Sequence, residues 1–469
     1  MLLVDAQHGA ADAAVKTGRE RLARSAAKGR LTAEEAAATG GRLTAVTAIA
    51  DLAQCALVVE AVVEDLDVKR TVFAELEATC DATTILATNT SSLDVTEIAA
   101  GMAHPERLAG MHFFNPAQVL PLVEIVAGAH TDPAVLDTLA DTAAAWGKTP
   151  VQCASTPGFI VNRVARPFYG EAFRLLEAGV SDPATIDALL RDAGGFRMGP
   201  FELTDLIGQD VNLAVSRRLF EALDHDPRFK PSALQAALVA EGRLGRKVGR
   251  GIYAGDERPE PATAPPAPPL QRLVVNGAGD PMEALVTRLS QAGVSAVRTR
   301  DFGPVRLRPA PGVVLRLTDG RSAAQVSAET SETVALVDLA HDYATATRVG
   351  LAPPEGAPAD AVTAAVGCLQ AAGLSVTVLP DVPALVVART VAMLAAFGAE
   401  TVDAGVASAG DVDTAMRLGV NYPLGPIEWG DAVGWGWIEQ VLTSLAAADD
   451  PGRYRVPNGV RRRVETASG

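Results

Sequence analysis

Residues 56–92 read ALVVEAVVEDLDVKRTVFAELEATCDATTILATNTSS, and their pattern decides the fold of the first third of the chain. The apolar run at 56–64 is strand-like, 67–80 suits a helix, and 83–92 is a second strand running into cap-forming residues. Upstream, the alanine-rich segment 10–28 keeps one polar face, as a helix does. Alternation of this kind across residues 1–155 implies a parallel sheet with helices on both faces.

Beyond residue 155 the strand signal fades. Segments 158–179, 183–193 and 231–242 read as helices, which makes 156–255 a helical domain. Residues 256–270, including ERPEPATAPPAPPL, are a Pro/Ala linker too rich in proline to pack as an element. Then the chain repeats itself. DAGVASAGDVDTAMRLGVNYPLGPIEWGDAVG (403–434) matches EAGVSDPATIDALLRDAGGFRMGPFELTDLIG (177–208) without a gap, at a constant offset of 226. Asp187 falls on Asp413, Gly199-Pro200 on Gly425-Pro426, Glu202 on Glu428 and Asp205 on Asp431. Residues 381–469 are therefore a second helical copy. The offset also carries PGFIVNR (157–163) onto PALVVAR (383–389), so Asn162 becomes Ala388. Between linker and second copy, 271–380 again looks α/β, with RLVVNGAGD (272–280) as a candidate strand and glycine turn. No HFFNP recurs there, and the stretch reads as a degenerate duplicate of the first domain.

With 469 residues, 48% apolar and 21% charged, the chain has room for several globular domains. A net charge of −15 argues against nucleic acid or an anionic membrane as partner, while leaving local sites for an anionic small molecule. No stretch reaches the roughly 18 apolar residues of a membrane span, and no signal peptide is visible. Cys55, Cys80, Cys153 and Cys368 form no C-x-x-C pair, so neither a disulfide framework nor a metal site is expected, and a reduced, cytoplasmic setting fits.

The densest candidate for chemistry is GMHFFNPAQVLPLVEIV (110–126). Two strand-like runs flank a turn containing Asn115-Pro116. A hairpin centred on Gln118 sets His112 opposite Glu124, with Cβ atoms about 4.5–5.5 Å apart. A carboxylate beside an imidazole fixes its tautomer and stabilises its protonated form, as a general base near neutral pH requires. A surface hairpin with an incidental His–Glu pair is the other reading of the same spacing.

NTSSL (89–93), HFFNP (112–116), LVEIV (122–126) and TPGFIVNR (156–163) occur in the order and spacing of the 3-hydroxyacyl-CoA dehydrogenase family. MGPFELTDLIG (198–208) and GRKVGRGIY (245–253) resemble its helical domain. The two helical copies look like its 3-hydroxybutyryl-/3-hydroxyadipyl-CoA dehydrogenase branch. The resemblance implies a Rossmann-like NAD-binding domain and an acyl-CoA substrate. It makes His112 the base that takes the 3-hydroxyl proton and Glu124 its orienting carboxylate. Ser91 becomes a contact to both substrate hydroxyl and cofactor, and Asn162 a substrate contact from the helical domain. Asn115, Glu64 and Lys69 fall on cofactor-contacting positions, and Ser25 and Lys28 lie where the family's long helix meets CoA. Most of these residues also have a plain structural reading: a helix cap for Ser91, a core amide for Asn162, a turn former for Asn115, solvated helix-end charges for Glu64 and Lys69, and an unremarkable helix end for Ser25 and Lys28.

The chain opens MLLVDAQHGA, a short strand ending in Asp5. In a dinucleotide fold, a carboxylate ending the second strand accepts the ribose 2′-hydroxyl and repels the extra phosphate of NADP. The family's first strand and G-x-G-x-x-G turn would precede it by about 20 residues. The expectation is accordingly a domain lacking that strand and turn, with a misassigned start as the explanation and an inactive truncated protein as the alternative. GAGDPM (277–282) has Met282 where a third glycine belongs and does not restore the turn. Besides an NAD-dependent (3S)-3-hydroxyacyl-CoA dehydrogenase, two readings stay open. One is a non-catalytic acyl-CoA-binding or assembly protein, and the other a sister dehydrogenase acting on a free hydroxy acid. The second helical copy is expected to bind no substrate, since the stretch before it lacks equivalents of His112 and Glu124. It is expected instead to pack on the first copy as an intrachain pseudo-dimer, with a homodimer of whole chains as the alternative.

Overall fold

The computed structural model describes residues 1–255 and 257–468. Asp256, where the linker was expected to begin, and Gly469, the last residue of the second helical copy, lie outside the described residues. The chain divides into two compact units, Met1–Phe113 with Ile125–Pro150, and Phe114–Glu124 with Val151–Gly469.

The first unit contains β1 (Leu2–Leu3), β2 (Thr44–Ala45), β3 (Leu57–Glu60), β4 (Ile85–Thr88) and β5 (Leu108–Phe113), and shares β6 (Leu122–Ala127) and β7 (Thr149–Ala154) with the second. β3 to β7 form one sheet in chain order. β3, β4 and β5 run parallel, with Leu57 opposite Ile85 and Leu86 opposite Leu108. The helix Leu66–Thr79 makes the crossover from β3 to β4, and Asp65 starts it by accepting the amides of Asp67 and Val68, both at 3.0 Å. Leu86, Leu108, Met111, Ile125 and Phe73 are fully buried between sheet and helices. Gly110 lies against Val126: a Cβ there would stand 2.7 Å from the valine Cβ. The segment 10–28 is the helix Ala10–Ala27 with Lys28 as its C-cap. β1 pairs in parallel with β2 alone, so these two strands form a sheet apart from β3 to β7, and no described strand joins β1 to β3.

In the second unit, 158–179 is two helices, Val161–Val164 and Arg166–Glu177, because Pro167 has no N–H to continue a helix through its own position. The shared residues of the repeat have a physical role. Asp187 accepts the amides of Phe201 and Glu202 (2.9 Å each) at the start of the helix Pro200–Ile207, and the Tyr253 hydroxyl at 2.7 Å. Asp413 accepts the Ile427 amide at 2.8 Å in the second copy. Gly199 and Gly425 are required there, since a Cβ on either would come within 2.2 Å of that aspartate.

After the linker come β8 (Arg272–Asn276), β9 (Ser295–Arg298), β10 (Arg306–Ala310), β11 (Val313–Leu317), β12 (Thr333–Val337), β13 (Arg348–Ala352) and β14 (Ser375–Val378). They form a seven-stranded mixed sheet in the order β14-β13-β12-β11-β10-β8-β9. β10 is antiparallel to both neighbours, and β12 is antiparallel to β13. The offset of 226 carries β5, β6 and β7 onto β12, β13 and β14, and the helix Pro133–Ala145 onto Ala359–Ala371. The duplication therefore begins well before the second helical copy.

The two helical copies pack on each other through the helices Arg166–Glu177 and Val387–Asp403. Glu171, fully buried, accepts Arg453 at 2.6 Å and the Tyr454 hydroxyl at 2.8 Å, with Arg389 at 3.8 Å. The equivalent place in the other copy is apolar: Phe397 meets Phe229 at 5.0 Å, and Arg228 lies over its ring while also pairing with Glu400. No helix among the described residues is long and apolar enough to cross a membrane.

Candidate active site

The C-terminal ends of β3 and β4 bring together most of the first unit's candidates. Glu64 Oε1 accepts the Thr90 hydroxyl (2.7 Å), the Ser91 amide (2.9 Å) and hydroxyl (3.4 Å), and the Ser92 amide (3.1 Å) and hydroxyl (2.9 Å). Burial opposes ionisation of Glu64, but these donors and the Lys69 charge outweigh it and hold the carboxyl below its usual range. Lys69 is 1% exposed. Its ammonium meets Glu60 at 2.8 Å and Glu64 at 3.3 Å. It is thus a buried ion-pair residue in this fold, not a solvated helix-end charge. Glu60, which the sequence reading passed over, is the anchor: it also accepts the Thr88 hydroxyl (2.7 Å) and the Val62 amide (2.6 Å). A lone glutamate closing an apolar strand was the signal for it. The result is a Ser91 turn held from beneath by a charged, fully paired network.

His112 is buried near the end of β5, where the Asn89 side chain accepts the Phe113 amide at 2.9 Å. In the second unit, Glu124 is fully buried, and its Oε1 accepts the Ile160 and Val161 amides at 3.1 and 2.9 Å. These are the free donors at the start of the helix that carries Asn162, which is half-buried. Asn115 is exposed and precedes Pro116 through a cis bond.

Asp5 is exposed past the end of β1, and its Oδ1 accepts the Gln7 amide at 2.8 Å. Ser25 is half-buried and Lys28 exposed on the first helix. An open groove of about 720 Å³ runs between the helices Ala10–Ala27 and Ala33–Gly41, lined by Arg19, Ala23, Ala26, Ala33, Ala37 and Gly40; neither Ser25 nor Lys28 lines it.

The duplicate holds its own version of the Glu124 clamp. Asp338, fully buried, accepts the amides of Val386 (3.0 Å), Val387 (2.9 Å) and Ala388 (2.9 Å). Val386 and Val387 are the counterparts of Ile160 and Val161, yet by the same offset Asp338 stands at the position of His112, and Gly350 at that of Glu124. As expected, the duplicate has no histidine or glutamate at the positions of His112 and Glu124. What the sequence did not show is that an aspartate at the His112 position clamps the helix start instead.

The same segments match known proteins. Residues 1–156 match the model of the 3-hydroxyacyl-CoA dehydrogenase NAD-binding domain, and 158–255 and 385–468 each match that of its C-terminal domain. The 3-hydroxyadipyl-CoA dehydrogenase of Escherichia coli K12 is 41% identical over 469 residues, covering 100% of this chain and 93% of that protein. The chain belongs to the 3-hydroxyacyl-CoA dehydrogenase family. It is accordingly an oxidoreductase acting on a CH–OH group, with NAD as cofactor. Residues 315–383 match the reduced Rossmann-fold domain described for 3-hydroxybutyryl-CoA dehydrogenase, which accords with the shortened duplicate. The mitochondrial hydroxyacyl-coenzyme A dehydrogenase of Sus scrofa is 43% identical over 197 residues, 42% of this chain and 63% of that protein. The crystal structure of a 3-hydroxybutyryl-CoA dehydrogenase from Escherichia coli K12 superposes with a TM-score of 0.90 at 40% identity, covering 100% of this chain and 93% of that one.

Proposed function

We propose that the chain oxidises (3S)-3-hydroxyacyl-CoA esters of short acyl chain to 3-oxoacyl-CoA, with His112 as the base and Glu124 as its orienting carboxylate. The observation that carries this reading is the amide clamp on Glu124. Two backbone donors fix one carboxylate oxygen in place. The duplicate supports the register. β12 and β13 pair antiparallel, and the Asp338 amide donates to the Gly350 carbonyl at 2.9 Å. Carried back by the offset, that pairing agrees with the register expected for His112 and Glu124. The Gly110–Val126 approach in the first unit obeys the same register.

His112 takes the hydroxyl proton from the oxygen on C3 and holds it as imidazolium beside Glu124. Ser91, fixed by Glu64, positions that oxygen, and Asn162 holds the substrate from the helical side. NAD, when bound, accepts the hydride leaving C3. The residues present fit it: Asp5 offers the ribose hydroxyls an exposed carboxylate, and Glu64, Ser91 and Asn115 are the residues that would hold the nicotinamide end, with Lys69 supporting Glu64 from within. Ser25 and Lys28 flank the CoA moiety. Free thiols at Cys55, Cys80, Cys153 and Cys368 accord with a cytoplasmic enzyme of fatty-acid or aromatic-acid breakdown. With helical faces already joined within the chain, this reading needs no homodimer to cover them. Mixing the full chain with acetoacetyl-CoA and NADH and following NADH absorbance tests the proposal. Turnover is expected, and none with any short 3-oxoacyl-CoA would overturn it.

A further inference from the structure

The second helical copy reaches the strands that carry the candidate site. At the end of β7, the Ala154 amide donates to the Val406 carbonyl at 2.8 Å. Deeper in, Gly419 closes the helix Ala409–Gly419 and meets Leu122, the first residue of β6, together with Val161. Leu122 and Val161 are buried, and so is Gly419. The approach is closer than a side chain would allow. A Cβ on Gly419 would stand 2.7 Å from Leu122 Cδ2 and 3.1 Å from Val161 Cγ2. The backbone does not call for glycine here, since Gly419 is helical and outside the left-handed region. Its missing side chain serves the contact. Both neighbours belong to the Glu124 clamp. Leu122 lies two residues from Glu124 on one face of β6, and the Val161 amide is one of the two donors to Glu124 Oε1, at 2.9 Å.

The internal repeat makes this contact one half of an exchange. By the offset of 226, Gly419 falls on Ala193, Leu122 on Arg348 and Val161 on Val387. The first copy's helix Pro183–Asp192, capped by Ala193, holds the start of β13 in the same way. The Ala193 carbonyl accepts the His341 amide at 2.8 Å, and the Asp192 carbonyl accepts the Thr347 amide at 3.3 Å. The Asp192 carboxylate meets Arg348 at 3.6 Å. Each helical copy thus braces the strands of the other half. Phe196 falls on Tyr422, and their rings meet edge to face at 5.0 Å. A residue that touches its own counterpart lies on the axis of a two-fold arrangement, so the exchange follows from the pseudo-symmetry of the chain. The two braces differ in chemistry. The one on the duplicate is polar, whereas the one on the first half is a close apolar contact, with glycine in place of alanine.

We propose that Gly419 is a positioning residue of the first copy's site: the second helical copy, which carries no histidine base, sets Glu124 through Leu122 and Val161. This rests on the 3-hydroxyacyl-CoA reading above, in which Glu124 orients His112. Val161 is stiff about χ1 because it branches at Cβ, so pressure on its Cγ2 passes to its backbone and to the amide that fixes Glu124. Leu122 yields more easily, since the tip of a leucine can change rotamer. A core packed this closely transmits a displacement without absorbing it. Catalytic geometry is sensitive on that scale, and about 1 Å of misplacement can cost ~10²-fold in rate. The second copy thus acts on the first site as well as covering its apolar face.

The test is a mutant cycle in the full chain, assayed with acetoacetyl-CoA and NADH. Alanine is the residue that the first copy carries at this position, so Gly419→Ala should fold. Its kcat is expected to fall by about threefold to tenfold, with KM for both substrates within about twofold and an unchanged unfolding midpoint. In a Glu124→Gln background the same substitution should alter kcat by less than about twofold, because the contact acts only through that carboxylate. A general packing defect would instead multiply with the Glu124→Gln loss. Wild-type kcat in Gly419→Ala overturns the proposal, and so does an equal loss in both backgrounds. If Gly419→Ala does not fold, Val161→Ala, which opens the same contact from the other side, is put through the same cycle and decides by the same two outcomes. No turnover by the wild type is a separate result: it overturns the dehydrogenase reading, and this inference falls with it.

Discussion

The two strand–helix junctions of this chain solve one problem in two ways. Each buries the start of a helix whose first amides need an acceptor. At residues 160–161 the acceptor is Glu124, reaching from β6. At residues 386–388 it is Asp338, from the end of β12, the counterpart of β5. In the first solution the carboxylate comes from the neighbouring strand, which leaves the β5 position free for His112. In the second the carboxylate occupies that position itself, Gly350 replaces the glutamate, and Asn162 has become Ala388. The clamp is structural in both copies, and only the first keeps a histidine and an asparagine at the matching positions.

Removing the second copy gives the largest effect. Deleting residues 381–469 takes Arg389, Arg453 and Tyr454 from the buried Glu171 and uncovers the apolar face of the helix Arg166–Glu177. We expect aggregation or new self-association in light scattering; a soluble truncated chain with unchanged mass state would show that the copies are independent. Next comes Asp338→Ala, which strands three amides in a fully buried site. Unpaired groups of this kind cost about 1–3 kcal/mol each, so denaturant unfolding should show a loss of at least about 3 kcal/mol. A loss under about 1 kcal/mol would remove Asp338 from the account.

Glu124→Gln sharpens the comparison from the other side. The amide oxygen can still accept from Ile160 and Val161, so the fold should hold, while the uncharged group no longer stabilises imidazolium. Turnover of acetoacetyl-CoA should fall roughly tenfold or more with little change in unfolding midpoint. The smallest effect is on pH dependence. Burial pushes the carboxyls of Asp187 up to about 7 and of Asp338 and Asp413 to about 6, against the amides that pull them down. Groups raised in the folded state contribute stability in full below their unfolded value near 4 and lose it as pH rises through 6 to 7. Asp413→Asn should therefore flatten the fall in thermal midpoint between about pH 4 and about pH 6.5; an unaltered slope would contradict this.

Much of the fold was legible because periodicity and repetition are local signals. The runs 56–64, 67–80 and 83–92 fell on β3, the helix Leu66–Thr79 and β4, and the match of 177–208 to 403–434 announced the second helical copy. The stretch 271–380 read as a degenerate duplicate, but its register did not, since β12 and β13 keep strand character but none of the residues that mark β5 and β6. Asp338 reads as a strand-end aspartate until three amides are seen to converge on it. Lys69 and Glu60 read as separate charges, because nothing in a sequence says that two residues nine apart share a buried pocket.

The claim that chemistry resides in the first copy alone meets its most direct test in His112→Gln, assayed in the full chain with acetoacetyl-CoA and NADH. The account predicts a fall in turnover of at least ~10²-fold with little change in substrate affinity or unfolding midpoint. Turnover at the wild-type level would contradict it and place the base elsewhere.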